Sequence, residues 1–224
     1  MQKSYDSKKL FWNEYLYKLV IKSQLSSIFR NNKLLYARKI LDELQRQADK
    51  KESLHLTQFL RSELVSLEHF EKAKALHQML SNKTDYCLRV EKPTVCVYSN
   101  DLDWLEEIGY KINADSLHLP DPTIVDYLSK EQNIVVLEKD NGCSLRVTLG
   151  VQSNTNWTNW ILNNQDKVKI GPILEKNLVQ PQRYTTYEGL YFYVRDEKIL
   201  QMISLLGINI RRIDKIVCKE NLDK

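Results

Sequence analysis

Glycine is scarce, with six among 224 residues, and these six never gather into a phosphate-cradling loop. Neither a Walker motif nor a dinucleotide fingerprint can be assembled, which excludes the common nucleotide-binding classes. Of the four histidines, His55, His69, His77 and His118, only His69 and His77 share a helical neighbourhood. They stand further apart than the spacing of a metal-binding pair, so no metal and no cofactor are expected. The four cysteines, Cys87, Cys96, Cys143 and Cys218, form no CxxC pair and sit inside apolar runs, as reduced core residues do. Long apolar runs are missing too: Tyr15 to Ile21 is broken by Lys18 and flanked by Glu14 and Lys22, so no membrane span is expected. The first fifteen residues, MQKSYDSKKLFWNEY, lack the apolar core of a signal peptide, which makes the expected compartment cytoplasmic. No Ser-His-Asp or Cys-His set stands in an activating context, and no catalytic residue is assigned. Asp101-Leu102-Asp103 offers two carboxylates, but alternate positions on a helix point apart and Asp101 reads as a helix cap.

What is present is an ordinary globular composition. Hydrophobic residues make up 42% and charged ones 28%, enough to build cores and too apolar for a disordered chain. The net charge of +4 conceals an imbalance: residues 1–84 carry +7 and residues 85–224 carry −3. A basic N-terminal third fits an anionic partner such as nucleic acid, and equally fits solvated helix faces.

Alternation over Tyr15 to Lys22 predicts a strand, and Leu34, Ala37, Ile40, Leu41, Leu44 and Ala48 recur at helical spacing. That spacing continues through Leu56, Phe59, Leu60, Leu64, Leu67, Phe70, Ala73, Leu76 and Leu80, as one long helix or two short ones. Leu88 and Val90, a turn at Glu91-Lys92-Pro93, then Val95 and Val97 predict a hairpin. Asp101 caps a helix closed near Gly109. Residues 113–122, with Pro120 and Pro122, read as a loop, and Ile124, Tyr127 and Leu128 as helical turns. Ile134 to Leu137 reads as a strand joined through Asp140-Asn141-Gly142 to a hairpin partner over Leu145, Val147 and Leu149. A helix at Trp157 to Leu162, a strand at Val168 to Ile170 and an irregular stretch to Glu188 follow. Trp157 and Trp160, three apart, read as core anchors. A strand at Leu190 to Val194, a helix capped by Asp196 and ended by Gly207, and a strand from Ile210 to Cys218 complete the chain.

Aligning VYSNDLDWL (97–105) on FYVRDEKIL (192–200) sets strand on strand and Asp101 on Asp196, 95 residues apart. The expected fold is therefore α+β: two tandem ferredoxin-like β-α-β-β-α-β units, residues 1–139 and 140–224, the first with a helical insert at about 34–81.

A sheet of this kind with exposed aromatics is how RRM-type modules stack unpaired bases. EGLYFYVRD (188–196) lies on the predicted third strand of the second unit. Gly189 and Phe192 match the aromatic motif, whereas Glu188 replaces its basic residue and Leu190 its first aromatic. Tyr191 and Tyr193 alternate with Phe192, so one set faces the core and the other faces out. Arg211 and Arg212 are candidate phosphate contacts near that sheet, as are Lys33, Arg38, Lys39 and Arg46 on the N-terminal helix.

The run YLYKLVIKS (15–23), the segment LRVEKPTVCVYSNDLDWLEEI (88–108), and YFYVRDEKILQMISLLG (191–207) with RRIDKIV (211–217) together resemble uncharacterised proteins encoded by bacteriophages and related viruses. The resemblance implies an origin, with host cytoplasm or virion as location, and no activity. The leading expectation is a non-catalytic phage-type protein that binds RNA or single-stranded DNA. The alternative is a protein-interaction or virion-assembly component that docks a protein partner through the helical insert. A nuclease built on the same units comes third.

Overall fold

The computed structural model describes residues 1–58, 61–152, 156–180 and 186–221. It is a mixed α+β chain that divides into two compact units, Met1–Val125 and Asp126–Lys224. Each has its own five-stranded mixed sheet.

In the first unit the chain runs β1 (Gln2–Ser7), β2 (Tyr17–Lys22), α1 (Leu34–Asp49), β3 (His55–Gln58), β4 (Arg61–Leu64), α2 (Leu67–Ser81), β5 (Cys87–Glu91), β6 (Thr94–Ser99), α3 (Leu102–Lys111) and β7 (Ser116–Pro120). The sheet order is β1-β7-β2-β6-β5, with β1 parallel to β7 and every other pair antiparallel. Leu19, Ile21, Val95, Val97, Leu117 and Leu119 point to one face. There they meet Ala37, Leu41 and Leu44 of α1, Phe70, Leu76 and Leu80 of α2, and Leu105 and Ile108 of α3. This single packed layer holds the unit together, at about 1.5–3 kcal/mol for each large side chain fully buried.

Three expectations for this unit are corrected. Residues 113–122 are not a loop: Ser116–Pro120 is β7, an interior strand in which buried Leu117 and Leu119 alternate with Ser116 and His118. Pro120 takes its last position, where a missing N–H costs least. The helical spacing from Leu56 to Leu64 is instead the β3–β4 hairpin, with Leu54, Leu56 and Val65 buried on the core. Ser66 then starts α2 by accepting the His69 N–H at 3.2 Å. Phe59 and Leu60, expected on that helix, lie outside the described residues. Gly109 does not close α3 but lies inside it, where an added Cβ would stand 2.2 Å from Met1 Sδ.

After α4 (Val125–Lys130), the second unit runs β8 (Ile134–Leu137), β9 (Leu145–Leu149), α5 (Asn156–Asn163), β10 (Val168–Ile170), α6 (Pro172–Val179), β11 (Tyr191–Val194), α7 (Glu197–Ser204) and β12 (Ile210–Cys218). Its order is β10-β11-β9-β12-β8, with β8 parallel to β12 and the rest antiparallel. Val147, Leu149, Val168, Phe192 and Val194 form the core face against Trp157 and Ile161 of α5, Leu174 and Leu178 of α6, and Ile199 and Ile203 of α7. Trp157 is fully buried, edge-on to Tyr187 with ring centroids 5.2 Å apart.

Residues 126–139, expected in the first unit, belong to the second, because β8 pairs with β12. The expected β8–β9 hairpin is not formed: β12 lies between the two strands. The turn chemistry at Asp140-Asn141-Gly142 is nonetheless satisfied. The Gly142 N–H donates to Asp140 Oδ1 at 2.7 Å, and Gly142 adopts φ of +69°. Turn residues fix where a chain reverses, while the seven residues between Leu137 and Leu145 span one intervening strand with ease. Part of the stretch expected to be irregular is α6, opened by Gly171 and Pro172 with Leu174 and Leu178 buried four apart; residues 181–185 lie outside the described residues.

Read from the parallel edge, the two sheets have the same strand order and the same strand directions. The Asp101 carboxylate accepts the Trp104 N–H at 3.0 Å and the Asp196 carboxylate accepts the Ile199 N–H at 3.0 Å, so both caps open the helix that follows the fourth strand of their sheet's order. Ile108 and Ile203, at the same 95-residue offset, are both fully buried.

Candidate nucleic-acid interface

On β11 the burial alternates. Phe192 and Val194 enter the core, and Tyr191 and Tyr193 stand half-buried on the opposite face, away from α5 and α7. Their rings lie 5.5 Å apart at 71°, the edge-to-face arrangement aromatic quadrupoles favour. Register places Arg146 of β9 and Lys169 of β10 beside Tyr193, and Thr148 beside Tyr191. One strand further, Asp214 pairs with Arg146 and Arg212 with Thr148. The Arg146 guanidinium sits 4.4 Å from the centroid of Tyr191, a cation–π contact.

Asp214 anchors this face. It is 1% exposed, with Arg212 Nε 2.8 Å from Oδ1 and Arg146 Nε 3.7 Å from Oδ2. One carboxylate thus organises two guanidinium groups and leaves the row of Arg146, Arg212 and Lys169 with a cationic excess. Among the described residues Arg146 Nε, Thr148 Oγ1 and Asp214 Oδ2 are buried without a hydrogen-bond partner. Buried polar atoms in native proteins are normally satisfied, so such a cluster marks a face whose bonding is incomplete. Burial, and then the neighbouring Tyr191, push the Tyr193 phenol above its ordinary pKa, so it stays a neutral hydrogen-bonding group at physiological pH.

Tyr191, Tyr193 and Arg212 therefore share one face. Arg211 does not join them: it falls at the bulge between Ile210 and Arg212, is 61% exposed and pairs with Glu188 at 3.6 Å. Lys33, Arg38, Lys39 and Arg46 lie on the exposed side of α1 or at its start, in the other unit. Arg38 faces Asp42 at 3.9 Å and Arg46 faces Glu43 at 2.7 Å, so acidic neighbours offset much of that charge. The groove of about 630 Å³ between α1 and α2 is likewise of mixed charge, lined by Arg38, Asp42, Asp49, Lys74 and His77. Arg146, Thr148, Lys169 and Asp214 were missed by the sequence reading. The alternation of Arg146 and Thr148 with Leu145, Val147 and Leu149 was the available signal for two of them.

The corresponding face of the first sheet is built differently. Tyr98 of β6 pairs with Lys18 of β2, which pairs with His118 of β7. The turn between β1 and β2 lies over Tyr98: Phe11 and Trp12 stand 5.5 Å and 6.0 Å from its ring. On the neighbouring β7, Ser116 Oγ is 3.1 Å from His118 Nε2, and His118 Nδ1 is 3.0 Å from Asp6 of the edge strand β1. Burial acts to raise the Asp6 carboxyl, but the bonds to His118 outweigh it and hold the pKa below the ordinary value. Asp6 stands too far from Ser116 and His118 in the sequence for this chain to have been read there. β7 is laddered on both edges, by β1 and by β2. Its backbone N–H groups are thus engaged in the sheet rather than turned toward Ser116 as an oxyanion hole, and the three side chains tie β1 to β7.

Among the described residues no three His, Cys, Asp or Glu side chains gather as a metal site, and no helix is long and apolar enough to cross a membrane. No family model matches the chain, and neither a curated protein nor a solved structure matches it significantly.

Proposed function

We propose that this is a non-catalytic, phage-type protein that binds single-stranded RNA or DNA on the face of its second sheet opposite the core. Each unit is read as ferredoxin-like with one added edge strand: counted from β2 or from β9, the strands run 4-1-3-2, the order of modules that stack bases on an open sheet. The observation that carries the reading is the juxtaposition of Tyr191 and Tyr193 on β11 with the stacked Arg146 and the flanking Arg212 and Lys169. Flat rings offer sequence-tolerant stacking, and the cations offer phosphate contacts that position the strand.

Fluorescence anisotropy with a labelled single-stranded oligonucleotide, repeated over a range of salt, tests this. Affinity should fall steeply as salt rises. Tyr191→Ala with Tyr193→Ala should weaken binding about 10- to 100-fold, the loss of one stacked base at roughly 1–3 kcal/mol. Binding unchanged by both substitutions would refute the assignment. A second reading, a protein partner docked on the helical insert, draws on the exposure of Leu35, Leu64 and Leu67. Association through such an apolar surface should persist at high salt.

A further inference from the structure

At the 95-residue offset that superimposes the two capping aspartates, Tyr98 falls on Tyr193. Both tyrosines occupy the fourth strand of the same five-strand order, and each has a cation as its cross-strand partner: Lys18 beside Tyr98, Arg146 beside Tyr193. The first sheet thus carries the same tyrosine–cation pair on the same face, but there it is covered by the chain itself. Phe11 packs against Tyr98 at 5.5 Å, and Trp12 stands edge-on to it, with ring planes at 87°. Lys18 Nζ lies 5.3 Å from the Phe11 ring and the Arg89 guanidinium 5.7 Å from the Trp12 ring. The two rings, one tilted and one edge-on, occupy the space over Tyr98 and between two cations that an unpaired base would need in order to reach the same tyrosine.

The covering turn has the marks of a detachable part. Trp12 adopts left-handed backbone, φ +57°, which a bulky side chain visits rarely, and it is followed by Asn13 at φ +61°, a residue type that tolerates the region. Trp12 remains 52% exposed despite its size, whereas Tyr98 beneath is 6% exposed. Beyond the closed turn from Phe11 to Tyr15, Asn100 latches the segment: Leu16 N–H donates to its Oδ1 at 2.8 Å, and its Nδ2 donates to the Glu14 carbonyl at 3.0 Å.

We propose that the first sheet holds a second, self-occupied site for unpaired nucleobases, in which Phe11 and Trp12 fill the positions of ligand bases until a strand displaces them. This rests on reading the second sheet's face as a base-stacking surface, and it adds that the Lys8–Leu16 segment limits the free protein to one binding face. Tyr98 is the platform, Lys18 and Arg89 the flanking cations, and Asn100 the latch.

Isothermal titration of the whole chain with a single-stranded tetranucleotide, too short to occupy two faces, tests this by count. The wild type should bind about one oligonucleotide and the Phe11→Ala, Trp12→Ala variant about two, with Tyr98→Ala added to that variant returning it to about one. Should the double variant lose its fold by circular dichroism, Asn100→Ala takes its place, cutting the latch while keeping both rings, with the same rise expected. The inference is judged on the difference between unplugged and wild-type chains. A gain of one site that Tyr98→Ala abolishes supports it, and no gain in a folded variant overturns it. A wild type that binds none removes the reading of the second face while leaving that difference to decide the first.

Discussion

Asp214 shows how one residue can organise a surface. Two guanidinium groups converge on a carboxylate withdrawn from water, and with it removed they would repel each other across β9 and β12. Breaking a buried pair in this way costs about 3–5 kcal/mol, and the partial exposure of both arginines lowers that toward about 2–3 kcal/mol. Asp214→Ala should lower stability by that amount in urea denaturation, and Asp214→Asn by less, because the amide oxygen still accepts a hydrogen bond. A change of only a few tenths would mean that Arg146 and Arg212 are held by other groups. Single residues differ in how far the sequence reveals them. Asp101 and Asp196 could be read as caps because a cap bonds to the third residue after it. The role of Asp214 could not, since of its two partners Arg146 is brought near only by pairing of β9 with β12. Tyr191 and Tyr193 were legible as an alternating pair, but the cation stacked on one of them was not.

At the scale of elements, local pattern revealed most strands and helices and misplaced their neighbours. β12 was read over Ile210–Cys218, the bounds it has, as the apolar-and-charged run that follows the helix-ending Gly207. β7 was read as a loop, since two prolines outweighed the alternation of Ser116, Leu117, His118 and Leu119. β8 and β9 were paired on the strength of a turn that carries no information about the strand entering between them. The position of β7 has a direct test. His118 lies opposite Ser4 on one side and Lys18 on the other, so His118→Pro should destabilise the first unit by about 3 kcal/mol or more, whereas His118→Ala, which keeps the N–H, should cost far less. Similar small effects from both, measured by thermal denaturation, would contradict the interior placement of the strand.

At the scale of the whole molecule, two sheets share one strand order, one set of directions, a capping aspartate and a tyrosine–cation pair, while their helical additions differ: α1, a hairpin and α2 in one, α5 and α6 in the other. The faces opposite the two cores differ: one carries half-buried Tyr191 and Tyr193 beside three cations, and the other is covered by its own aromatic turn. The most direct measurement is photo-crosslinking of the whole chain to a single-stranded oligonucleotide carrying 5-iodouracil, with the adducts located by mass spectrometry. Adducts at Tyr191 or Tyr193 are the predicted result. Adducts confined to α1, or none above the level of a duplex control, would contradict the claim that the second sheet's face opposite the core receives unpaired bases.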